Sequence, residues 1–455
     1  MSAPIYWSVL PQWSDPKDVH AQLDGEHDNT VWLDAGPLAT TGYSYIAGIT
    51  DPLITEDVMD ALRAEIPAPT AVDPDGDMFI PKGFPLTSVG PFRLGYVGWF
   101  GYEFGNGLVG IPHVTSPYPD ACFARVRAMY AFDHAGQSVI AVAHTPQALA
   151  ELVAAYPAGN VSRGRQEGSG GASREAAANI HSSLRWRHEP QQYENLVDQC
   201  RKFIRDGDAY LLCLTNQIRI PGDWDVLATY HALREDNPSH HGGLLRLGGV
   251  NLLSSSPEVF LRVTPDSRVT TMPIKGTRRR GATTDEDAQL IHELRSSEKE
   301  RAENLMIVDL MRNDLSRVAV TGTVSADRLL EVETLPHVHQ LVSTVSALIE
   351  PGQTALDAFD ACFPAGSMTG APKRAAMEIL QRLEQGPRGI YSGAFGWFGL
   401  DGCAELAMVI RSLVIDASGA SIGSGGGVTS DSDPSSELDE MLLKAAAALR
   451  ALGVH

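Results

Sequence analysis

The sequence predicts a mixed α+β protein, and three observations lead there. Between Met1 and about Pro157, short β-branched and aromatic stretches such as TVWLDAG, GYSYIAG and FRLGYVGWFGYEFG recur between frequent glycines and prolines. A second series follows, in which the helix-like RWRHEPQQYENLVDQCRKFIRDGD precedes the apolar strand YLLCLTNQIRI. Beyond Asp285 the apolar spacing turns helical. Because both halves mix the two periodicities, they are expected to form two intertwined α/β layers packed as one body.

The chain divides by composition. Residues 1–157 form the first region, and the aromatic stripe around Tyr96, Trp99 and Tyr102 in it reads as core. Residues 158–178 begin AGNVSRGRQEGSGGASREA, where Gly, Ser and charge replace apolar residues, so a linker or surface excursion is expected. Residues 179–455 carry the chemistry. At 455 residues there is room for more than one domain. A net charge of −20 argues against a nucleic-acid or anionic-membrane partner. The five cysteines show no C-x-x-C or C-x-x-H spacing, which suggests a reducing compartment without a zinc site. MSAPIYWSVL is no signal peptide, and no apolar run reaches about 18 residues, so a cytoplasmic location is expected.

The stretch from Met272 to Thr323 is the most informative. It opens MPIKGTRRRG, read as a strand that breaks at Gly276 into an exposed basic turn at Arg278, Arg279 and Arg280, with Lys275 at the strand's end. A helix carrying Leu290, Leu294, Leu305, Ile307, Val308, Leu310 and Met311 follows. On it Glu300 and Glu303 share one face. Alone, such a pair reads first as a solvated face with Lys299 and Arg301 as ion-pair partners.

A second copy of the arrangement lies near the C-terminus. DSDPSSELDEMLLKAAAALRAL opens with a strong helix-start signal and places Glu437, Glu440 and Lys444 on one face. Between the strand ASIGS and this helix, Gly425, Gly426 and Gly427 read as a turn whose N–H groups approach an anion closely. Two such helices offer four carboxylates to one hard divalent cation, and Mg²⁺ suits oxygen ligands of this kind. Glu303 and Glu440 are the expected direct ligands, with Glu300 and Glu437 behind them.

These motifs, in order, resemble the chorismate-utilising enzymes: anthranilate synthase component I, aminodeoxychorismate synthase component I, and the isochorismate and salicylate synthases. The resemblance runs through SSSPEVFL (Ser254 to Leu261), PIKGT (Pro273 to Thr277), KERAENLMIVDLMRND (Lys299 to Asp314), HVHQLVS (His337 to Ser343), TGAPK (Thr369 to Lys373), RGIYSGAFGWF (Arg388 to Phe398), VIRS (Val409 to Ser412), the glycine run and the final helix. It implies a sandwich of two large antiparallel sheets with helices outside. Anthranilate synthases carry Ala where this chain has Lys275, whereas aminodeoxychorismate synthases resemble it in carrying Lys.

The resemblance therefore implies chorismate as substrate and amination at C4. Lys275, neutralised by burial, would attack C2 while Glu258 protonates the departing C4 hydroxyl. Glu258 is expected near Lys275 along a hairpin, although in SSSPEVF alone it could equally be a surface residue after a turn. Gly276, Thr277 and Ser367 would line the ring site. Arg411, read within an apolar strand LAMVIRSLV, would grip one substrate carboxylate, and Lys444 with the Gly426 and Gly427 N–H groups the other. Arg312, Asn313 and Asp314 read as a structural cluster. Mg²⁺ would be the cofactor.

Two departures narrow the branch. Relatives that add water carry a lysine after the tyrosine matching Tyr210, and here that residue is Leu211. Anthranilate synthases carry a histidine directly before Leu-Val-Ser, and here Gln340 stands there with His339 one place earlier. VWLDAG lacks the inhibitor-binding Leu-Leu-Glu-Ser pattern, which favours a structural part for Trp32, Leu33 and Asp34. None of Cys122, Cys200, Cys213, Cys362 or Cys403 has a glutaminase setting, so ammonia is expected from a separate glutamine amidotransferase subunit.

Overall fold

The apolar runs of the sequence become strands that find partners on both sides of residue 157, so neither region builds a sheet alone. The computed structural model describes residues 4–69, 86–157, 184–335 and 338–454. The linker expected at 158–178 lies outside these residues. Two sheets, of 12 and 9 strands, contain only antiparallel pairings among the described residues, the sandwich expected from the sequence. The larger sheet joins Asn29–Asp34 to His241–Leu247, and the smaller joins Gly95–Phe100 to Ala394–Gly399.

Aromatic and aliphatic side chains fill the space between the elements. Tyr96, Trp99 and Tyr102 are all buried, as expected of the aromatic stripe, with Tyr96 and Trp99 on opposite faces of the strand Gly95–Phe100, and Phe100 stacks on Phe359 with ring centres 4.2 Å apart. Trp32 is fully enclosed, and Asp34 is held by Arg234 at 2.5 and 3.2 Å and by the Tyr230 hydroxyl at 3.1 Å. That supports the structural part expected of this strand. Among the described residues no helix is long and apolar enough to cross a membrane.

The chain passes between the sheets at two neighbouring points. Strand Val250–Ser256 belongs to the larger sheet and Val259–Val263 to the smaller; Ala404–Met408 and Ser412–Asp416 make the reverse passage. The passages are tied together by the Ser255 N–H on the Arg411 carbonyl (3.3 Å) and the Met408 N–H on the Glu258 carbonyl (3.0 Å). Arg411 therefore does not lie inside a strand as read from LAMVIRSLV. It sits at the break, with φ +53°, because the chain must change sheets there.

Three further readings change. Strand Ile274–Arg279 begins where the sequence suggested an end, with an irregularity between Ile274 and Thr277 around Gly276 at φ +82°. Arg278 and Arg279 continue the pairing to His339 and Val338 instead of forming a turn, because Arg279 and Arg280 are anchored by Glu286 and Asp287 of the helix Thr284–Ser296. The long helix is interrupted at Ser297, whose side chain caps the helix Glu298–Leu315. Gly425, Gly426 and Gly427 lie in strand Gly419–Val428, opposite Thr215, Leu214 and Cys213, and not in a turn. Glycine's freedom is used there to let a neighbouring strand approach.

A buried cation fastens several of these pieces. Arg388 pairs with Glu384 at 2.7 Å, lies 4.2 Å from the centre of the Tyr102 ring, and donates to the carbonyls of Met368 (2.6 Å) and Cys213 (2.9 Å). Asp314 makes a buried pair with Lys373 at 2.7 Å, in keeping with a structural role for that cluster. Arg388→Met leaves the Glu384 carboxylate buried without its cation, and is expected to lower stability by about 3–5 kcal/mol in denaturant unfolding.

Candidate active site

The site grows from the strand Gly419–Val428. Strand Leu211–Ile220 pairs along one edge, whereas Ser412–Asp416 covers the other only as far as Ile422. Beyond that point the backbone is open, and three successive glycines present no side chain. A cavity of about 350 Å³ lies here. Its lining includes Glu258, Lys275, Gly276, Thr277, Glu300, Glu303, Ser367, Arg411, Gly425, Gly426, Gly427, Glu440 and Lys444, so nearly every residue selected from sequence is brought together. Glu437 is the exception. It packs behind, 2% exposed, with its Oε2 3.1 Å from where a Gly426 Cβ would stand.

Each element delivers one kind of group. The irregularity before Thr277 turns Lys275 toward the glycines, where its Nζ stands 3.5 Å from the Cβ position of Gly427, with Glu303 Oε2 at 3.7 Å. A Cβ on Gly276 would meet the Glu300 carboxyl at 2.9 Å and Leu294 at 2.8 Å, so glycine is required there. The expected hairpin is present: Val259–Val263 pairs with Arg268–Thr271, and its open end carries Glu258 just before the first strand and Lys275 just after the second. The short turn Gly366–Met368 supplies Ser367, whose hydroxyl donates to Glu258 Oε1 at 2.8 Å. Ser367 therefore orients the Glu258 carboxyl as well as lining the cavity.

The electrostatics separate the roles. Burial pushes the Glu258 carboxyl up to about 7, against the Ser367 hydrogen bond and the nearby Lys275 and Lys444. A carboxyl at that value still carries a proton near neutrality and can donate it. Lys275 departs from the expectation of a neutral amine. Burial does act to lower its pKa, but the facing carboxylates, Glu303 foremost, outweigh it and hold the ammonium above its ordinary value. Arg411 makes no ion pair among the described residues; burial pulls its pKa down, with Tyr391 and Glu440 partly opposing. A guanidinium in this position is open to an incoming carboxylate. Lys444 is less free, since its ammonium pairs with Glu440 at 2.6 Å and donates to the Gly425 carbonyl at 3.0 Å.

The donors of the four carboxylates fit a cation, and each carboxylate already has a partner. All offer hard oxygens, and they arrive from two helices onto one strand, which suits Mg²⁺. Among the described residues no three acidic, imidazole or thiol groups already form a metal cage. Each carboxylate instead has a cation: Arg278 on Glu300 at 3.4 Å, Lys299 on Glu437 at 3.3 Å and on Glu303 at 3.9 Å, and Lys444 on Glu440.

Several lining residues were not singled out as site residues from sequence. Tyr391 is buried against Gly423, and Cys213 faces the glycine run. Only the motif RGIYSGAFGWF pointed near the first. Leu443 lines the cavity while remaining 72% exposed, which places it at the mouth. Gln340 lines the cavity, whereas His339 points the other way, fully buried between Thr334 and Asp287 at 2.9 and 2.8 Å. Strand alternation thus keeps that imidazole out of the site. Leu211 is core, 3.2 Å from the Gly427 Cβ position, where it supplies no base.

The raised Glu258 carboxyl has a measurable sign. The folded chain retains a proton that the unfolded chain releases above its ordinary value of 4.5, so the stability it contributes is complete below about pH 4.5 and lost as pH rises to about 7. Glu258→Gln is therefore expected to be more stable than the parent at pH 8, by on the order of 2 kcal/mol, with the difference closing at pH 4.5. Paired unfolding curves at the two pH values measure it.

The family described as chorismate binding enzyme matches residues 38–450. An aminodeoxychorismate synthase of Streptomyces pristinaespiralis is 40% identical over 92% of this chain and 61% of its own length. One of Streptomyces griseus is 42% identical over 79% of this chain and 50% of its own. The chain thus spans between half and two thirds of these two relatives. The crystal structure of anthranilate synthase component I from Streptococcus pneumoniae TIGR4 superposes with a TM-score of 0.73 at 26% identity, covering 98% of this chain and 93% of that one. With its fold, its motifs and residues 38–450 matched, the chain belongs to the chorismate binding enzyme family.

Proposed function

We propose that this chain aminates chorismate at C4 to give 4-amino-4-deoxychorismate, the precursor of para-aminobenzoate in folate synthesis, acting in the cytoplasm. The observation that carries the reading is that Lys275, the buried carboxyl of Glu258 and the guanidinium of Arg411, which makes no ion pair among the described residues, line one cavity. The Streptomyces relatives named above support the same activity.

Arg411 takes one substrate carboxylate, and Lys444 with the open Gly426–Gly427 edge takes the other. Lys275 Nζ, once deprotonated, forms a bond to C2 as both ring double bonds shift, C1=C2 to C6=C1 and C5=C6 to C4=C5, and the C4–O bond breaks. Glu258 gives its proton to the leaving hydroxyl, which departs as water. Ammonia then bonds to C4, both double bonds shift back, and the C2–N bond breaks to return the lysine amine. One proton of the new C4 ammonium passes to Glu258 and restores the acid. A hard divalent cation, Mg²⁺, held by Glu300, Glu303, Glu437 and Glu440, would neutralise the carboxylates that keep Lys275 charged and polarise the ring carboxylate. The ring faces Thr277 and Ser367, which exclude water from C2.

Ammonia is proposed to come from a separate glutaminase subunit. All five cysteines are buried. Burial pushes Cys122 and Cys362 up to about 12, and no thiol here is poised as a nucleophile.

Purified chain given chorismate, Mg²⁺ and an ammonium salt is expected to release 4-amino-4-deoxychorismate, identified by mass spectrometry. Lys275→Ala is expected to lose activity by roughly a hundredfold or more, or to aminate at C2 instead. Anthranilate and pyruvate from the parent chain would replace this reading with that of an anthranilate synthase. Turnover with glutamine alone would remove the separate subunit.

A further inference from the structure

Lys299 lies next to the carboxylate helix start and reads from sequence as a surface partner of Glu300 and Glu303. Its position in the fold is different. The ammonium lies 3.3 Å from Glu437 Oε1 and 3.9 Å from Glu303 Oε1, so one cation is shared by carboxylates on two separate helices. It also lines the cavity. Glu437 is 2% exposed and has one other hydrogen-bond partner, the Ser432 hydroxyl at 2.7 Å. A neutral hydroxyl does little for a buried negative charge, so the ammonium is what balances it. Glu303 is also buried and faces the same amine.

The lysine itself is not locked in place. Its side chain is 51% exposed, on a flexible four-carbon stem, so its head can leave for solvent with little loss of packing. A divalent cation and this ammonium would seek the same oxygens and repel each other at that distance.

We propose that Lys299 is a built-in counter-ion that a divalent cation must displace. It joins the two E-x-x-E helices while it is seated, and it sets cation affinity by competition. The inference rests on the reading of these carboxylates as the Mg²⁺ site. It adds that the chain's own residue limits how tightly the ion is held. A lysine of merely structural importance would change stability without changing cation affinity.

Isothermal titration of the full chain with MgCl₂, without chorismate, tests this on the parent, Lys299→Met and Lys299→Arg. Melting temperatures in EDTA and in Mg²⁺ accompany the titrations. Lys299→Met is expected to bind Mg²⁺ about tenfold more tightly, the screened effect of removing one nearby positive charge. It is also expected to melt below the parent in EDTA and to recover in Mg²⁺, because two buried carboxylates are left facing each other. Lys299→Arg keeps the charge and is expected to stay near the parent affinity. Lys299→Gln serves as the same neutral variant if methionine disturbs folding. Binding by the neutral variants within twofold of the parent, or weaker, overturns the competition and leaves the cation site standing. Absence of Mg²⁺ binding by the parent and every variant overturns the cation site and the proposal with it.

Discussion

The site depends on a length of β-strand that carries no side chains. Gly425, Gly426 and Gly427 hold full register with Thr215, Leu214 and Cys213, yet leave a smooth, open edge on which charged groups from one strand, two helices and the two passages between sheets converge. Larger residues would meet those groups: a Cβ on Gly425 would stand 2.3 Å from the Leu214 carbonyl, and one on Gly426 3.1 Å from Glu437. The glycines therefore do more than permit an anion to approach. They make room for opposite charges to stand close together in a half-dry space.

That space is dense in charge but close to balance. Glu258, Glu300, Glu303, Glu437 and Glu440 face Lys275, Arg278, Lys299, Arg411 and Lys444. In such surroundings the pKa of any one group is set by its partners as much as by burial. Glu258 and Lys275 show it: both are removed from water, but the first has a hydroxyl for its nearest partner and is raised by burial, whereas the second faces Glu303 and stays charged. An argument from burial alone gets the acid right and the amine wrong.

The same contrast explains what could be read from the sequence. Periodicity and helix-start residues located the two E-x-x-E faces, and the run of aromatics located Tyr96 and Trp99 in the core, because those signals are local. The glycine run was visible, but its conformation was not, since whether glycines form a turn or a strand is decided by the partner Leu211–Ile220, more than 200 positions away. Arg411 likewise looked interior to a strand; only the passage between sheets breaks it there. Lys299 sat in plain view beside Glu300, while its partner Glu437 belongs to a helix 138 residues further on. Tyr391 stood inside the motif RGIYSGAFGWF and Cys213 in an apolar strand, neither with a chemical role attached, and both reach the cavity through packing.

The two acidic helices stand on different sheets. Glu298–Leu315 packs on Val338–Leu348 of the smaller sheet, and Pro434–Ala451 on Gly419–Val428 of the larger. Whatever positive charge bridges Glu303 and Glu437 is thus a fastener across the sandwich. The cavity acts as a gauge of sheet separation, and a substitution deep in the core that moves one layer by a fraction of an ångström would be felt first as a change in how those carboxylates share their cation.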